Sequence, residues 1–506
     1  MPDPTSAPER HDAGLGALPL PQELSADYLE FNRVLPLGVE SDRVRVACVG
    51  APAEHVIEDL QQLYGLPVEI VPVTEDALQD GIRRATAAAE SVVELVRDLE
   101  GVARPGALAD EHDQADVRDL ANQPPVIRFV SLLIREAHAA GASDVHLDAS
   151  RGGLRIRFRV DGVLGEVPAP PADLHAAVVS RIKLLAELDI AERRLPQDGR
   201  IRMRLASRAL DLRIATVPTP FGESVTIRLL DRGGRPVALA DLGMGPETLA
   251  ACEALAQRRH GVVLVTGPTG SGKTTTLYAA LGLRDHTAEK IITVEDPVEY
   301  ELPGVTQIAV DEQRGLTFAR ALRAMVRLDP NVLMVGEIRD EESADIAVRA
   351  AMTGHLVFTT LHTNDAVGAV FRLLDLGVPS YLVSASVEGI LAQRLVRRSC
   401  PDCRTRYRPD PQAVALLAER PVGNLRLERG AGCPACRQTG YRGRTGLFEL
   451  LRFEEDLKEA VARSADRAAL NALAARQGMQ TLKQDGWAKV QAGITTVEEV
   501  LRVVQT

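Results

Sequence analysis

Aromatic residues are scarce in this chain, 3% of 506 residues, and its 59 Lys and Arg are outnumbered by 70 Asp and Glu, for a formal net charge of −11. The first shortage leaves few rings on which the bases of a single strand could stack. The second argues against a broad footprint on a phosphate backbone, so no nucleic-acid partner is expected. No apolar run approaches the ~20 residues that cross a bilayer, and any membrane association is expected to pass through a partner. The six cysteines, four of them in two Cys-x-x-Cys pairs, do not resemble a secreted disulfide framework in so long a chain. A cytoplasmic protein is expected. Residues 1–22 are rich in Pro, Ala and Gly, lack the basic start and apolar stretch of a signal peptide, and are expected to be disordered.

The length allows several domains, each with its own core. Residues 23–99 alternate short strands (44–49 and 68–73) with helices (54–63 and 75–99), a small α/β module in which Cys48 reads as a buried apolar residue. Residues 100–122 carry Pro105-Gly106 and an acidic run and read as a linker. A second α/β domain spans 123–232, with a helix over 126–140 and strands over 144–147, 154–160, 200–205, 209–216 and 224–230. A nucleotide-binding domain follows over 233–396, then a cysteine-rich insert over 397–446. The tail, 447–506, places Leu457, Val461, Leu470 and Leu473 at helical spacings. No internal repeat is visible.

The chemistry centres on Gly267-Pro268-Thr269-Gly270-Ser271-Gly272-Lys273-Thr274, preceded by the apolar run Val262 to Val265 and followed by a helix opening at Thr275. Strand, glycine-rich turn and helix are the context a phosphate-binding loop needs. Its backbone N–H groups close on phosphate oxygens, and the helix N-terminus adds partial positive charge. Lys273 is expected to reach the β- and γ-phosphates and Thr274 to ligate Mg²⁺. Thr275 completes the binding set. Binding and hydrolysis of a nucleoside triphosphate are expected.

Three later segments suit such a core. Ile291 to Tyr300 is an apolar strand ending in Glu295, Asp296 and Glu299, which puts acids at the carboxyl edge of a sheet. Val332 to Asp340 delivers Glu337 to the same edge, where it could orient or deprotonate water and help hold Mg²⁺. Leu356 to Leu361 presents His362 beside the γ-phosphate. Each has a plainer reading, since acids after strands are often helix caps and a lone His is often structural. Behind a phosphate loop, together, they favour function. Cys400, Cys403, Cys433 and Cys436 form a set of four thiols that suits closed, structural Zn²⁺ better than a redox pair.

These motifs resemble those of the secretion ATPases of the type II/type IV pilus superfamily, specifically the general secretory pathway ATPases of type II secretion. Residues 293–300 are similar to that family's Asp box, Gly336-Glu337-Ile338-Arg339-Asp340 to its Walker B-like segment, and residues 354–364 to its His box. The resemblance covers about 126–503, and only loosely the N-terminal module. It implies an α/β multidomain fold: a RecA-like P-loop ATPase core behind a PAS-like α/β domain, with a tetracysteine zinc insert and a helical C-terminal region. It implies ATP as substrate, Glu337 as catalytic glutamate, Glu295, Asp296 and Glu299 arranging metal and water, and His362 sensing the γ-phosphate. It also implies a hexameric ring, with Arg200 and Arg213 of the second domain completing a site and Arg323, Arg327, Arg339, Arg372 and Arg444 as further candidates.

The expected role is to energise pseudopilus assembly and protein export, peripheral on the inner membrane. The partners implied are the cytoplasmic domain of an inner-membrane secretion protein, held by the N-terminal module, and a membrane platform protein. A pilus-assembly ATPase shares these motifs; a RecA-like nucleic-acid motor and a non-hydrolysing scaffold are weaker alternatives. Two departures stand out: Gly336 occupies a position where a typical Walker B strand has an acid, and Arg327-Leu328-Asp329-Pro330-Asn331 replaces the usual Arg-Gln-Asp-Pro-Asp.

Overall fold

The computed structural model describes residues 32–40, 43–50, 52–75, 77–79, 81–82, 120–205, 208–231, 237–419 and 425–504, together with Leu29 and Val96. The stretch 1–22, most of the helix expected over 75–99 and the part of the expected linker up to residue 119 lie outside the described residues. Chain contacts divide the protein into two units, 1–231 and 232–506.

In the first unit, β1 (Val34–Glu40) pairs antiparallel with β2 (Arg43–Cys48). Helix α1 (Glu54–Tyr64) then crosses to β3 (Val68–Pro72), which runs parallel to β2. Cys48 is buried, as expected, and burial pushes its thiol pKa up. Beyond the linker come α2 (Pro124–Ala139), β4 (Ala142–Ser150), β5 (Gly153–Val160), β6 (Val163–Val167), α3 (His175–Leu185), β7 (Gln197–Leu205), β8 (Arg208–Thr219) and β9 (Gly222–Asp231). The strands form one antiparallel sheet in the order β6-β5-β4-β9-β8-β7. Phe129 and Leu133 of α2 and Ile182 of α3 share a core with Val145, Leu147 and Ile227 from one sheet face. Because side chains alternate along a strand, the intervening residues point the other way. There the register aligns Arg159, Asp144, Arg228, Arg213 and Arg200 across five strands. Asp144 pairs with Arg228 at 3.0 Å and Arg159 at 3.7 Å.

The second unit opens with a 3₁₀ turn (Leu239–Leu242) and α4 (Pro246–Ala256). Then β10 (Gly261–Thr266), α5 (Lys273–Leu281), β11 (Ile291–Glu295) and β12 (Thr306–Ala309) follow. Next are α6 (Phe318–Met325), β13 (Val332–Val335), α7 (Glu341–Met352), β14 (Leu356–Leu361), α8 (Ala366–Asp375) and α9 (Ser380–Ser386). β15 (Val387–Ser399) leads to a short hairpin, β16 (Arg404–Tyr407) and β17 (Leu427–Gly430), with α10 (Pro411–Ala418) between its strands, and the chain returns on β18 (Tyr441–Arg452). Four helices close it: α11 (Glu455–Ala462), α12 (Arg467–Arg476), α13 (Leu482–Gln491) and α14 (Val497–Val504).

Seven strands form the central sheet in the order β12-β11-β13-β14-β10-β15-β18, parallel except for the last pair. β10, β11, β13 and β14 are buried at every residue, the apolar runs of a sheet covered on both faces. The strand before the glycine-rich loop is thus central. The boundary expected at 396–397 falls inside β15. The sheet runs on to Ser399 and resumes at Tyr441, leaving residues 400–440 as the excursion between antiparallel partners.

The last helix is held by one carboxylate. Glu499 is 1% exposed and accepts from the backbone N–H of Arg397 (3.0 Å), from Nη2 of Arg397 (2.8 Å) and from Nη2 of Arg502 (2.6 Å). Burial works to raise its pKa, but these donors bring it down to about 2. The folded pKa is depressed, so this stabilisation is present above the ordinary carboxylate range and is lost as pH falls through about 2. A shift of this size corresponds to roughly 3 kcal/mol, nearer about 2 after allowing for the half-exposed Arg502. Glu499→Gln is expected to destabilise the protein by about 2 kcal/mol at neutral pH. Thermal unfolding should show the gap from wild type narrowing as pH is lowered below about 4, and a constant gap would contradict this.

Candidate functional site: a phosphate loop beside an acid–histidine pair

Gly267, Gly270 and Gly272 take φ of 153°, 78° and 87°, backbone that side-chain-bearing residues rarely adopt. Space is as restrictive as conformation. A Cβ on Gly267 would lie 2.4 Å from the Gln393 carbonyl oxygen, and one on Gly272 2.9 Å from Gln393 Nε2. Gln393, on β15, donates to the Ser271 carbonyl at 2.8 Å and accepts from the Thr276 hydroxyl at 2.7 Å, so it fastens both the loop and the first turn of α5.

The loop's polar groups fit a phosphate ligand. Ser271 Oγ is buried with no hydrogen-bond partner. Lys273 Nζ donates to the loop's own carbonyls, Gly267 at 2.9 Å and Pro268 at 3.2 Å. Burial lowers the Lys273 pKa, and the Glu337 charge works against that shift. The Thr274 hydroxyl, in the first turn of α5, makes no hydrogen bond among the described residues. Helix N-terminus, free hydroxyl and half-buried cation together suit a metal-bound polyphosphate.

Across the same sheet edge, Glu337 follows β13 and His362 follows β14. Glu337 Oε2 lies 3.3 Å from His362 Nε2, while Oε1 accepts from Arg339 Nη2. Arg339 also lies 3.6 Å from Asp296. Burial alone would raise the Glu337 pKa, but Arg339 and then His362 hold it below the usual carboxylate value. It is therefore ionised at neutral pH. Gly336 has a packing reason: a Cβ there would lie 3.2 Å from the Val294 carbonyl of neighbouring β11. The His362 segment is tied to the loop, because Thr363 N donates to Thr266 Oγ1 at 3.0 Å, one residue before Gly267.

The structure therefore brings Lys273, Glu337, His362, Arg339 and Asp296 to one edge. Glu295 is placed differently. It is 2% exposed, and its oxygens accept from Tyr278 of α5, from Thr293 at 2.6 Å and from Gln307 at 3.2 Å. This buried carboxylate braces α5 against β11 and β12. Glu299 is exposed, and both its backbone and its charge act on the Tyr278 hydroxyl. His355 binds the Ala350 carbonyl at 2.8 Å at the opposite end of β14 from His362. Asp340 caps α7 through Ser343 N at 2.8 Å. Arg200 and Arg213 lie in the other unit, side by side on β7 and β8. Sequence reasoning passed over Gln393 and Arg394, whose one signal is a polar pair interrupting the apolar run Ile390 to Val396.

The cysteines form the second site. Their four Sγ atoms lie within 4.8 Å of one another, with 3.9 Å between Cys400 and Cys433, 3.8 Å between Cys403 and Cys436, and 3.7 Å between Cys433 and Cys436. A tetrahedron with Zn–S bonds of about 2.3 Å has edges of about 3.8 Å. The distances are far too long for disulfides. Backbone N–H groups of Cys433 (3.1 Å) and Gly440 (3.2 Å) donate to Cys436 Sγ and, against the effect of burial, bring its thiol pKa down to about 6. A closed four-thiolate cage leaves no open position for catalysis and fits structural zinc.

Central β10, the glycine loop at its carboxyl end and the carboxylates that follow β11 and β13 of the same sheet define the class: a P-loop nucleotide-hydrolysing core. The Type II/IV secretion system protein family matches residues 119–502, and the MshEN domain family matches residues 13–92. The chain belongs to the Type II/IV secretion system protein family and, within it, to the type II secretion ATPases. It is 42% identical over 487 residues to Type II secretion system protein E of Pseudomonas aeruginosa, covering 96% of this chain and 97% of that one. It is 47% identical over 400 residues to Type II secretion system ATPase E of Vibrio cholerae, covering 79% of each. Among solved structures, the pilus retraction motor PilT with bound ADP aligns at 27% identity with a TM-score of 0.51, over 73% of this chain and 95% of that one.

Purified protein is expected to carry one zinc per chain, with the four thiols of the cage reacting with a thiol reagent only after chelation. Cys403→Ser should lose the metal and lower the unfolding temperature. Full thiol reactivity without chelation would contradict the cage.

Proposed function

We propose that this chain hydrolyses ATP in the cytoplasm to drive pseudopilus assembly and protein export by a type II secretion system. The observation that carries the reading is the phosphate loop itself, with an orphaned Ser271 hydroxyl and a Lys273 satisfied only by loop carbonyls, facing an ionised Glu337. On binding, Lys273 exchanges Gly267 and Pro268 for the β- and γ-phosphates, and residues 267–275 wrap the triphosphate. Thr274 would hold Mg²⁺, which would supply neutralisation of the phosphate charge. Glu337 orients the attacking water and accepts its proton, while Arg339 and His362 hold that carboxylate in place and ionised. His362 senses the γ-phosphate. Asp296 and Glu299 arrange metal and water around this centre, and Glu295 acts one layer behind, keeping α5 in position.

The family assignment supports a secretion machine as the setting. We read the finer organisation as a hexamer, in which Arg200 and Arg213 of the domain at 123–232 complete a site and neutralise developing charge. Motion of that domain against the core at 233–396 is passed to the membrane platform protein. The module at 23–99 docks on the cytoplasmic domain of an inner-membrane secretion protein, which makes the ATPase peripheral on that membrane. The zinc-bearing excursion at 400–440 and the helices that follow β18 are structural supports.

Mg²⁺-ATPase activity of the purified chain should rise with the cytoplasmic domain of its secretion-system partner and lose that rise when residues 1–99 are deleted. Stimulation by a pilus-system domain instead would reassign the machine, and stimulation by single-stranded DNA alone would make it a nucleic-acid motor. Glu337→Gln is expected to retain ATP binding and lower kcat by about 100-fold or more. Arg339→Gln removes the main group depressing the Glu337 pKa. The acid limb of its kcat–pH profile should therefore move to higher pH, and an unmoved limb would separate Glu337 from proton transfer.

A further inference from the structure

Gln393 and Arg394 lie one and two residues beyond Ala392, the last residue of β15 paired with β10. This overshoot carries them alongside the phosphate loop. Arg394 is 5% exposed, and no carboxylate lies within 4 Å of it among the described residues. Asp365 and Glu449 act on it only from a distance, and burial lowers its pKa. Its donors go to neutral groups. Nη1 donates to the Gln393 carbonyl at 3.1 Å, and Nη2 to the Asn364 carbonyl at 3.0 Å and its Oδ1 at 3.2 Å. Nη1 would also lie 3.2 Å from a Cβ on Gly267, so the guanidinium rests directly against the loop.

A cation withdrawn from water without an ion pair is costly, and within reach of Lys273 it adds repulsion. Two features of the surroundings offset that cost. Phosphates entering the loop bring negative charge to both cations. The rigid guanidinium fork also spans two segments at once, which an ammonium group does not do. Asn364 is two residues after His362, and the intervening Thr363 is already tied to Thr266.

We infer that Arg394 is a positioning residue for hydrolysis: it sets the His362–Asn364 segment against the phosphate loop through its fork, and its charge strengthens nucleotide binding. The inference rests on the nucleotide-hydrolysing reading above. It separates two contributions, charge acting on affinity and fork geometry acting on turnover. Arg394→Lys keeps the charge and loses the fork; Arg394→Met loses both. Asn364→Ala removes one acceptor at an exposed position where folding is not at risk.

The test measures binding of mant-ADP with Mg²⁺, and kcat and KM for ATP, in the full chain and in Arg394→Lys, Arg394→Met, Asn364→Ala and the Arg394→Lys/Asn364→Ala double variant. Arg394→Lys and Asn364→Ala are expected to bind mant-ADP within about threefold of wild type while kcat falls about tenfold or more in Arg394→Lys and several-fold in Asn364→Ala. The double variant should turn over no more slowly than Arg394→Lys alone, because both changes break one connection. Arg394→Met should in addition weaken mant-ADP binding by about tenfold. Wild-type kcat in Asn364→Ala, multiplicative losses in the double variant, or wild-type affinity in a folded Arg394→Met would each overturn the inference. If Arg394 variants do not fold, Asn364→Ala decides it. A wild-type chain that binds no mant-ADP would instead overturn the nucleotide reading itself, and this inference with it.

Discussion

A ring of backbone N–H groups holds an anion only if its shape is imposed from outside, because glycines supply freedom and no rigidity. Here Gln393 imposes it. Its carbonyl fills the space a Gly267 side chain would need, and its amide engages Ser271 and Thr276 from the adjoining strand. A buried amide with both ends satisfied fixes position without introducing a charge next to phosphate. The geometry of residues 267–273 thus depends on a strand more than a hundred residues downstream in the chain.

That strand, β15, serves more than the loop. Its far end leads straight into Cys400, and its antiparallel partner β18 returns from the thiol cage. β18 carries Glu449, a buried carboxylate that accepts from Ala366 N at 2.9 Å and Leu482 N at 3.3 Å. One side chain therefore caps the N-termini of both α8, which follows His362, and α13 of the C-terminal helices, where negative charge meets the helix dipoles favourably. Asp485 and Lys489, paired at 2.5 Å, fasten α13 to β18 from its other side through Phe448 N and the Gly446 carbonyl. Phosphate loop, thiol cage and terminal helices are in this way anchored on one two-stranded ribbon.

The carboxylates show how two residues of one kind are separated by environment. Glu295 and Glu337 both end apolar strands at the same sheet edge. Glu295 is enclosed by Tyr278, Thr293 and Gln307 and braces the fold. Glu337 sits at the mouth with Arg339 and His362 and stays charged where water can reach it. Neighbours, not strand position, assign the roles.

Much of this was legible in the sequence because it is local. The apolar strand before Gly267, the glycine spacing, the helix after Lys273 and the Cys-x-x-Cys pairs are short-range patterns whose chemistry follows from spacing alone. The strands at 144–147, 154–160 and 209–216 were readable from alternation and lie within β4, β5 and β8. β15 and β18 were not, since buried Glu388, Gln393, Arg394 and Glu449 break the apolar pattern of an interior strand. Their polarity makes sense only beside partners from distant segments. The sequence by itself determined which groups are available to bind phosphate and metal. Tertiary structure alone decided which acid faces the loop, which acid braces the core, and that Gln393 and Arg394 lie against the glycines, because those outcomes depend on distances between residues far apart in the chain.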